Sequence, residues 1–262
     1  MGIENMKYIV FSFDDGRKDF YTNALPVLKK YNLTAVVNII GNFIGSHAPK
    51  GFLSSNNEFM TIEDIKDSYE YGIEIGNHSM NDTNEVDSVA SFYIKNIQLM
   101  GYGFASPGSE VWKKNIATFK ELVIAGKIHY IRSGRQIKRD GYFHAALYVL
   151  LEKIQSPLLF WLYQKRNVIN LNKKYDFYPS LAIDSFTTAE QVKFSINKIK
   201  DEHSAILMFH SVLRKDDVGY GKDKWFNDIE MFDEVCRFCA ENKDIQVITN
   251  KRLCEINKTR CR

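Results

Sequence analysis

Short apolar runs recur along this chain, each long enough for one buried strand, and between them lie longer stretches in which apolar residues return every three or four positions. The runs are YIVFSF, TAVVNII, IEIGNH, GYGFASP, HYIRSG, YPSLAID, AILMFHS and IQVIT. Such alternation is the signature of parallel strands joined by crossover helices. The helical stretches include TIEDIKDSYEYG, VWKKNIATFKELVIAG, TAEQVKFSINKIKDE and WFNDIEMFDEVCRFCAENK. The first carries its own punctuation: Thr61 and Asp64 can exchange hydrogen bonds as a capping box, and Gly72 supplies a left-handed stop. About seven or eight β/α units fit one barrel-like or doubly wound α/β domain better than two independent ones.

One segment breaks the rhythm. GYFHAALYVLLEKIQSPLLFWLYQKR, residues 141–166, is richer in large apolar side chains than its surroundings, but Glu152, Lys153 and Pro157 interrupt it. It therefore falls short of the roughly 18 uninterrupted apolar residues a membrane span needs. The reading is a helical insertion, around residues 135–176, packed on the domain. The alternative is a hairpin resting on a bilayer or covering a lipid-linked substrate, with Phe160, Trp161 and Tyr163 at the interface.

Composition adds little to this picture and removes some options. Of 262 residues, 45% are hydrophobic and 26% charged, which is ordinary for a globular protein with a sizeable core. The net charge of +3, from 35 basic and 32 acidic side chains, is too small and too mixed for a nucleic-acid partner. The opening MGIENMKYIVFSF enters a strand without a secretory signal pattern, which predicts a cytoplasmic protein. Cys236, Cys239, Cys254 and Cys261 include one CxxC, but no second pair or nearby histidine completes a zinc site, so free thiols are expected.

Ionisable residues gather at strand ends. FSFDDG puts Asp14 and Asp15 after the first strand, where parallel α/β domains build their sites, although an Asp-Gly turn accounts for the pair equally well. In GNHSMND, His78 and Asp82 lie four apart after another strand and share a face if the chain turns helically. Taken alone, Asp82 serves as well as a helix cap and His78 as a hydrogen-bonded core residue. AILMFHS adds His210 at a third strand end.

The order FDDG, HSxxD, a proline turn and then hydrophobic-x-His resembles the polysaccharide deacetylases of the NodB-homology type, carbohydrate esterase family 4. Their motifs run TFDDG, H[S/T]xxH, RxPxY, an Asp-bearing strand and LxH. The resemblance spans almost the whole chain and implies a distorted (β/α) barrel with a metal site at the carboxyl ends of the strands. It further implies that Asp15, His78 and Asp82 hold a divalent metal, zinc first and manganese or cobalt next, with Asp14 as general base and His210 as general acid. The turn FASPGS then offers the backbone amide of Gly108 to the oxyanion, where the family has the tyrosine of RxPxY. Met208 lines a pocket for the acetyl methyl, and Asp184, in LAIDS, stands among the groups behind the site.

Two departures matter. Asp82 replaces the family's second histidine; two anionic ligands nearly cancel a divalent charge, which predicts a less acidic bound water, slower turnover or a higher pH optimum. Ala105 replaces the arginine of RxPxY, and Arg132, at the next strand end, is the candidate for the missing charge, its alternative being a solvent-facing arginine. The functional expectation is a metal-dependent N-deacetylase acting on a nucleotide- or lipid-linked sugar in surface polysaccharide assembly, such as that of O-antigen. Deformylation, O-deacetylation and a non-catalytic carbohydrate-binding protein are the alternatives.

Overall fold

The computed structural model describes residues 6–47, 58–94, 102–109, 113–134, 150 and 153–261. Every strand expected from the sequence is present: β1 (Lys7–Phe13), β2 (Val36–Ile39), β3 (Glu74–Asn77), β4 (Tyr102–Ala105) and β5 (Ile128–Ser133), then, after β6 (Ile169–Asn170), β7 (Tyr178–Pro179), β8 (Leu181–Ala182), β9 (His203–Phe209) and, beyond β10 (Ser211–Leu213) and β11 (Phe226–Asp228), β12 (Ile245–Val247). The short strands β6, β10 and β11 carry too few residues to leave a periodic trace.

The sheet runs β9, β1, β2, β3, β4, β5, β7, all parallel. YPSLAID closes it. Its first half, β7, pairs with β5, and its second half, β8, pairs with β9, so the ring is completed through Ser180. The fold is a distorted (β/α) barrel of seven staves, as the unit count suggests. Beside the ring, β6 runs antiparallel to the start of β9 and β12 lies along the first half of β1.

Period-two alternation divides the apolar residues between two sides. Ile9, Phe11, Phe13, Val37, Ile39, Leu207 and Phe209 pack outward with the helices. Tyr8, Val10, Val36, Tyr130, Tyr178 and Ile206 form a separate cluster on the inward face, which Leu253 and Cys254 of the helix Asn250–Arg260 join. Continuing the inward register upward brings Ser12 on β1 and Asp14 just after it, Asn38 on β2, Arg132 on β5, Met208 on β9 and His210 just after it. The barrel is thus filled with apolar side chains at its amino-terminal end and polar ones at the other.

The helices form where their caps predict. Thr61 and Asp64 make the capping box of Ile62–Tyr71, and Gly72 ends it at φ 105°. A second box, Thr188 with Gln191, starts Ala189–Lys198. The helix Ile229–Glu241 buries Phe232, Val235, Cys236 and Cys239, a stripe at helical spacing. All four cysteines are free thiols, as expected. Part of the 141–166 insertion, residues 141–149 and 151–152, lies outside the described residues; its last part is the helix Pro157–Gln164, capped by Ser156 and packed on Ala189–Lys198. No helix among the described residues is long and apolar enough to cross a membrane.

Candidate metal centre

Asp15 and Asp82 are positioned by backbone that departs from regular structure. Strand β1 ends at Phe13, and the chain then turns through Asp15 at φ 74° and Gly16 at φ 72°. A Cβ on Gly16 would lie 2.7 Å from the Ile39 side chain, so glycine is required there twice over. After β3, Ser79 and Asp82 also take positive φ, 66° and 55°. The HSMND stretch is therefore a tight loop, not the helical turn that the spacing suggested. Its Asn77 and Ser79 side chains accept hydrogen bonds from the amides of Ser79 and Thr83, which holds the loop in shape.

These turns bring Asp15, His78 and Asp82 together, with one ligand atom from each lying within 4.8 Å of the others. His78 Nε2 is 3.5 Å from Asp15 Oδ1 and 3.5 Å from Asp82 Oδ1, beyond a good N–H···O bond. The other ring nitrogen, Nδ1, lies 2.8 Å from the Ala105 carbonyl, which can only accept. That contact fixes the proton on Nδ1 and leaves the Nε2 lone pair aimed at two carboxylate oxygens. Three electron-pair donors facing one another repel unless a cation lies among them, so the set fits a divalent metal. Burial pushes Asp82 up to about 6, with His78 and Arg17 opposing and Asp15 and Asp14 adding to the rise. Burial acts the same way on Asp15, but Arg17, His210 and His78 outweigh it and hold that carboxyl below the ordinary range.

Arg17 escaped the sequence reading. It is 2% exposed and pairs through Nε and Nη2 with Asp15 Oδ2, both at 2.8 Å, while Nη1 bonds Ser211 Oγ at 3.1 Å. Arg17 thus sets a cation beside the Asp15 carboxylate, and its Nη1 also lies 3.9 Å from Asp223 Oδ2. Nothing in FDDGRK marks Arg17 apart from its adjacency.

Asp14 directly follows β1, and its amide is held by the Phe209 carbonyl. Arg132 is fully buried, not facing solvent, and its Nη2 meets both Asp14 oxygens, at 2.7 and 2.6 Å. Ser180, at the seam of the split strand, takes Nη1 at 3.1 Å. Asn38 donates to Asp14 Oδ1 at 2.9 Å, and to Ser12 and the Phe13 carbonyl. As the one polar residue in β2, Asn38 was a visible signal. Gly76 makes room for it, since a Cβ there would come 2.1 Å from Asn38 Oδ1.

His210 follows β9 and tilts against Trp225, ring centroids 4.7 Å apart. Its Nδ1 is buried without a hydrogen-bond partner, and burial pulls its pKa down to about 4 against the pull of Asp15 and Asp14. Asp184 Oδ1 accepts from the Phe186 amide and the Thr187 hydroxyl. The buried Met208 shares a strand face with His210. Gly108, at φ 64°, is exposed in the turn after β4.

With this geometry in view, comparison with known proteins is direct. Residues 2–98 match the polysaccharide deacetylase family model, a stretch that contains Asp14, Asp15, His78 and Asp82. Over that stretch the chain is similar to the polysaccharide deacetylase family. It is 35% identical over 74 residues to the putative polysaccharide deacetylase YxkH of Bacillus subtilis (strain 168), a match covering 28% of this chain and 23% of that relative. Among solved structures, it aligns with peptidoglycan deacetylase PdaC from Bacillus subtilis at 16% identity and TM-score 0.48, over 98% of this chain and 94% of the other. The xylanase Xyl-CE4 domain from the hindgut metagenome of Trinervitermes trinervoides aligns at 14% identity and TM-score 0.47, over 96% and 91%.

Proposed function

We propose that the chain is a metal-dependent deacetylase that hydrolyses the N-acetyl group of a sugar during bacterial surface polysaccharide assembly, with a nucleotide- or lipid-linked intermediate, in the cytoplasm, as its substrate. The observation that carries this reading is the convergence of Asp15, His78 and Asp82 within 4.8 Å beside a buried Asp14–Arg132 pair. Those three residues would hold the metal, with zinc favoured and manganese or cobalt compatible with two oxygen ligands. When bound, it supplies Lewis acidity for polarising the acyl carbonyl and activating water.

The chain's own groups do the rest. Arg132 and Asn38 hold the Asp14 carboxylate in one orientation, from which it accepts a proton from the attacking water. His210 gives a proton to the departing amine. Because burial keeps its ring neutral at rest, the proton it gives is one taken up during turnover, the one that Asp14 accepts from the attacking water. The Gly108 amide is the donor offered to the oxyanion, Met208 bounds the acetyl methyl, and Asp184 orders the turn behind the site.

The test is acetate release from N-acetylated and O-acetylated glycans, and formate release from N-formylated ones, with and without chelator, alongside elemental analysis of the protein. We expect one divalent metal per chain and chelator-sensitive acetate release from an N-acetylated sugar. Release from O-acetyl or N-formyl substrates alone would reassign the bond cleaved. A metal-loaded protein that released no acyl group from a broad panel would be a carbohydrate-binding protein instead.

A further inference from the structure

Away from the barrel's polar end, the surface holds a cavity of about 520 Å³ where the helix Pro157–Gln164 runs past the end of Ala189–Lys198 and the start of β9. Lys165, Arg166, Lys173, Lys198 and Lys200 line it, with no acidic side chain among its walls. Elsewhere Lys18, Lys30, Lys120 and Lys193 are each matched by a carboxylate. None of the five cavity cations has such a partner among the described residues. Clustered cations of this kind set up a positive potential that an anion would relieve.

A second feature adjoins the first. Leu158, Leu159 and Leu162 of the helix Pro157–Gln164 are 53%, 36% and 45% exposed, and Leu150 and Ile154 before it are 49% and 50% exposed. Phe160 and Gln164 take the buried side of that helix, so its aliphatic side faces out and runs on into Lys165 and Arg166. Trp161 and Tyr175 stand in the cavity wall between the apolar and the basic parts. A soluble phosphate compound or a nucleic acid would use the cations and aromatics and leave the leucines idle. A bilayer uses all three: aliphatic side chains at the acyl boundary, aromatic rings at the interface, and basic groups on phosphates.

We infer that this face docks on an anionic phospholipid bilayer, with the cavity taking a headgroup phosphate. His203, also in the cavity wall, opens β9 and His210 follows its far end, so the docked face and the candidate metal centre are about 20 Å apart along that strand. The glycan is then engaged at the end of the barrel remote from this face. The inference stands independently of the reaction the centre performs.

Flotation of the full-length protein with vesicles of phosphatidylcholine alone, or phosphatidylcholine containing phosphatidylglycerol, tests it. Binding to the anionic vesicles should be tighter by about tenfold or more, and weaken as salt rises. The double variants Lys198→Glu with Lys200→Glu, and Leu158→Ser with Leu162→Ser, should each lose about tenfold or more of that binding, with circular dichroism and acyl release from soluble substrate unchanged. Equal binding to both vesicle types, or charge reversals without effect, would overturn the inference. So would binding of inorganic phosphate by the parent protein with no binding to vesicles of either composition, since that marks a site for soluble anions. Should a variant unfold, the comparison of vesicles with the parent protein still decides.

Discussion

Asp14 and Arg132 meet across 118 residues of chain, and the pair illustrates what one side chain contributes here. Both groups are buried, so removing either leaves an uncompensated charge. The guanidinium fork also sets orientation, which a point charge cannot reproduce. Arg132→Lys is therefore expected to lower kcat by about tenfold to a hundredfold with a smaller change in KM. Steady-state acyl release across pH, with the unfolding midpoint as a control, checks this. An unchanged kcat and pH profile in Arg132→Ala would remove Arg132 from the catalytic account altogether.

At the scale of elements, the site depends on close strand contacts that leave no room for a Cβ. Gly76 on β3 faces Asn38 on β2, which in turn holds Asp14. Gly76→Ala must displace the Asn38 amide, and the overpacking should cost about 1–3 kcal/mol. Activity should fall further than stability accounts for, because Asp14 loses a donor. Urea unfolding and acyl release measured on the same preparation separate the two losses. If turnover per folded molecule is unchanged, Asn38 is only a packing residue.

For the whole molecule, acid stability should reflect two buried groups that pull in opposite directions. Burial raises Asp19 to about 6, overriding Arg17 and the donors Val212 and Ser211. Its folded state holds a proton more tightly than the unfolded chain, so its contribution is present below about pH 4 and lost as pH rises through about 6. His210 is lowered to about 4, so its contribution is present above the unfolded value near 6.5 and lost as pH falls through about 4. Between these limits the slopes oppose. Relative to the parent, Asp19→Asn should become more stable as pH rises from 4 to 6.5, and His210→Asn less so, in denaturant titrations at several pH values. Parallel curves for both variants and the parent would refute the assignment.

The sequence by itself determined the strands, the Thr61 cap with its Gly72 stop, and the placing of Asp14, Asp15, His78 and His210 at strand ends, because alternation and capping act over a few neighbouring residues. Tertiary structure alone decided that Arg132 turns inward to Asp14 and that a strand split at Ser180 closes the barrel. Both outcomes depend on which distant strands become neighbours, and no local pattern of residues encodes a partner that far along the chain. The loop at Asp82 falls between the two: its residues were legible, but the positive φ at Ser79 and Asp82, and the Asn77 and Ser79 side-chain bonds that hold the loop, are seen only in the folded chain.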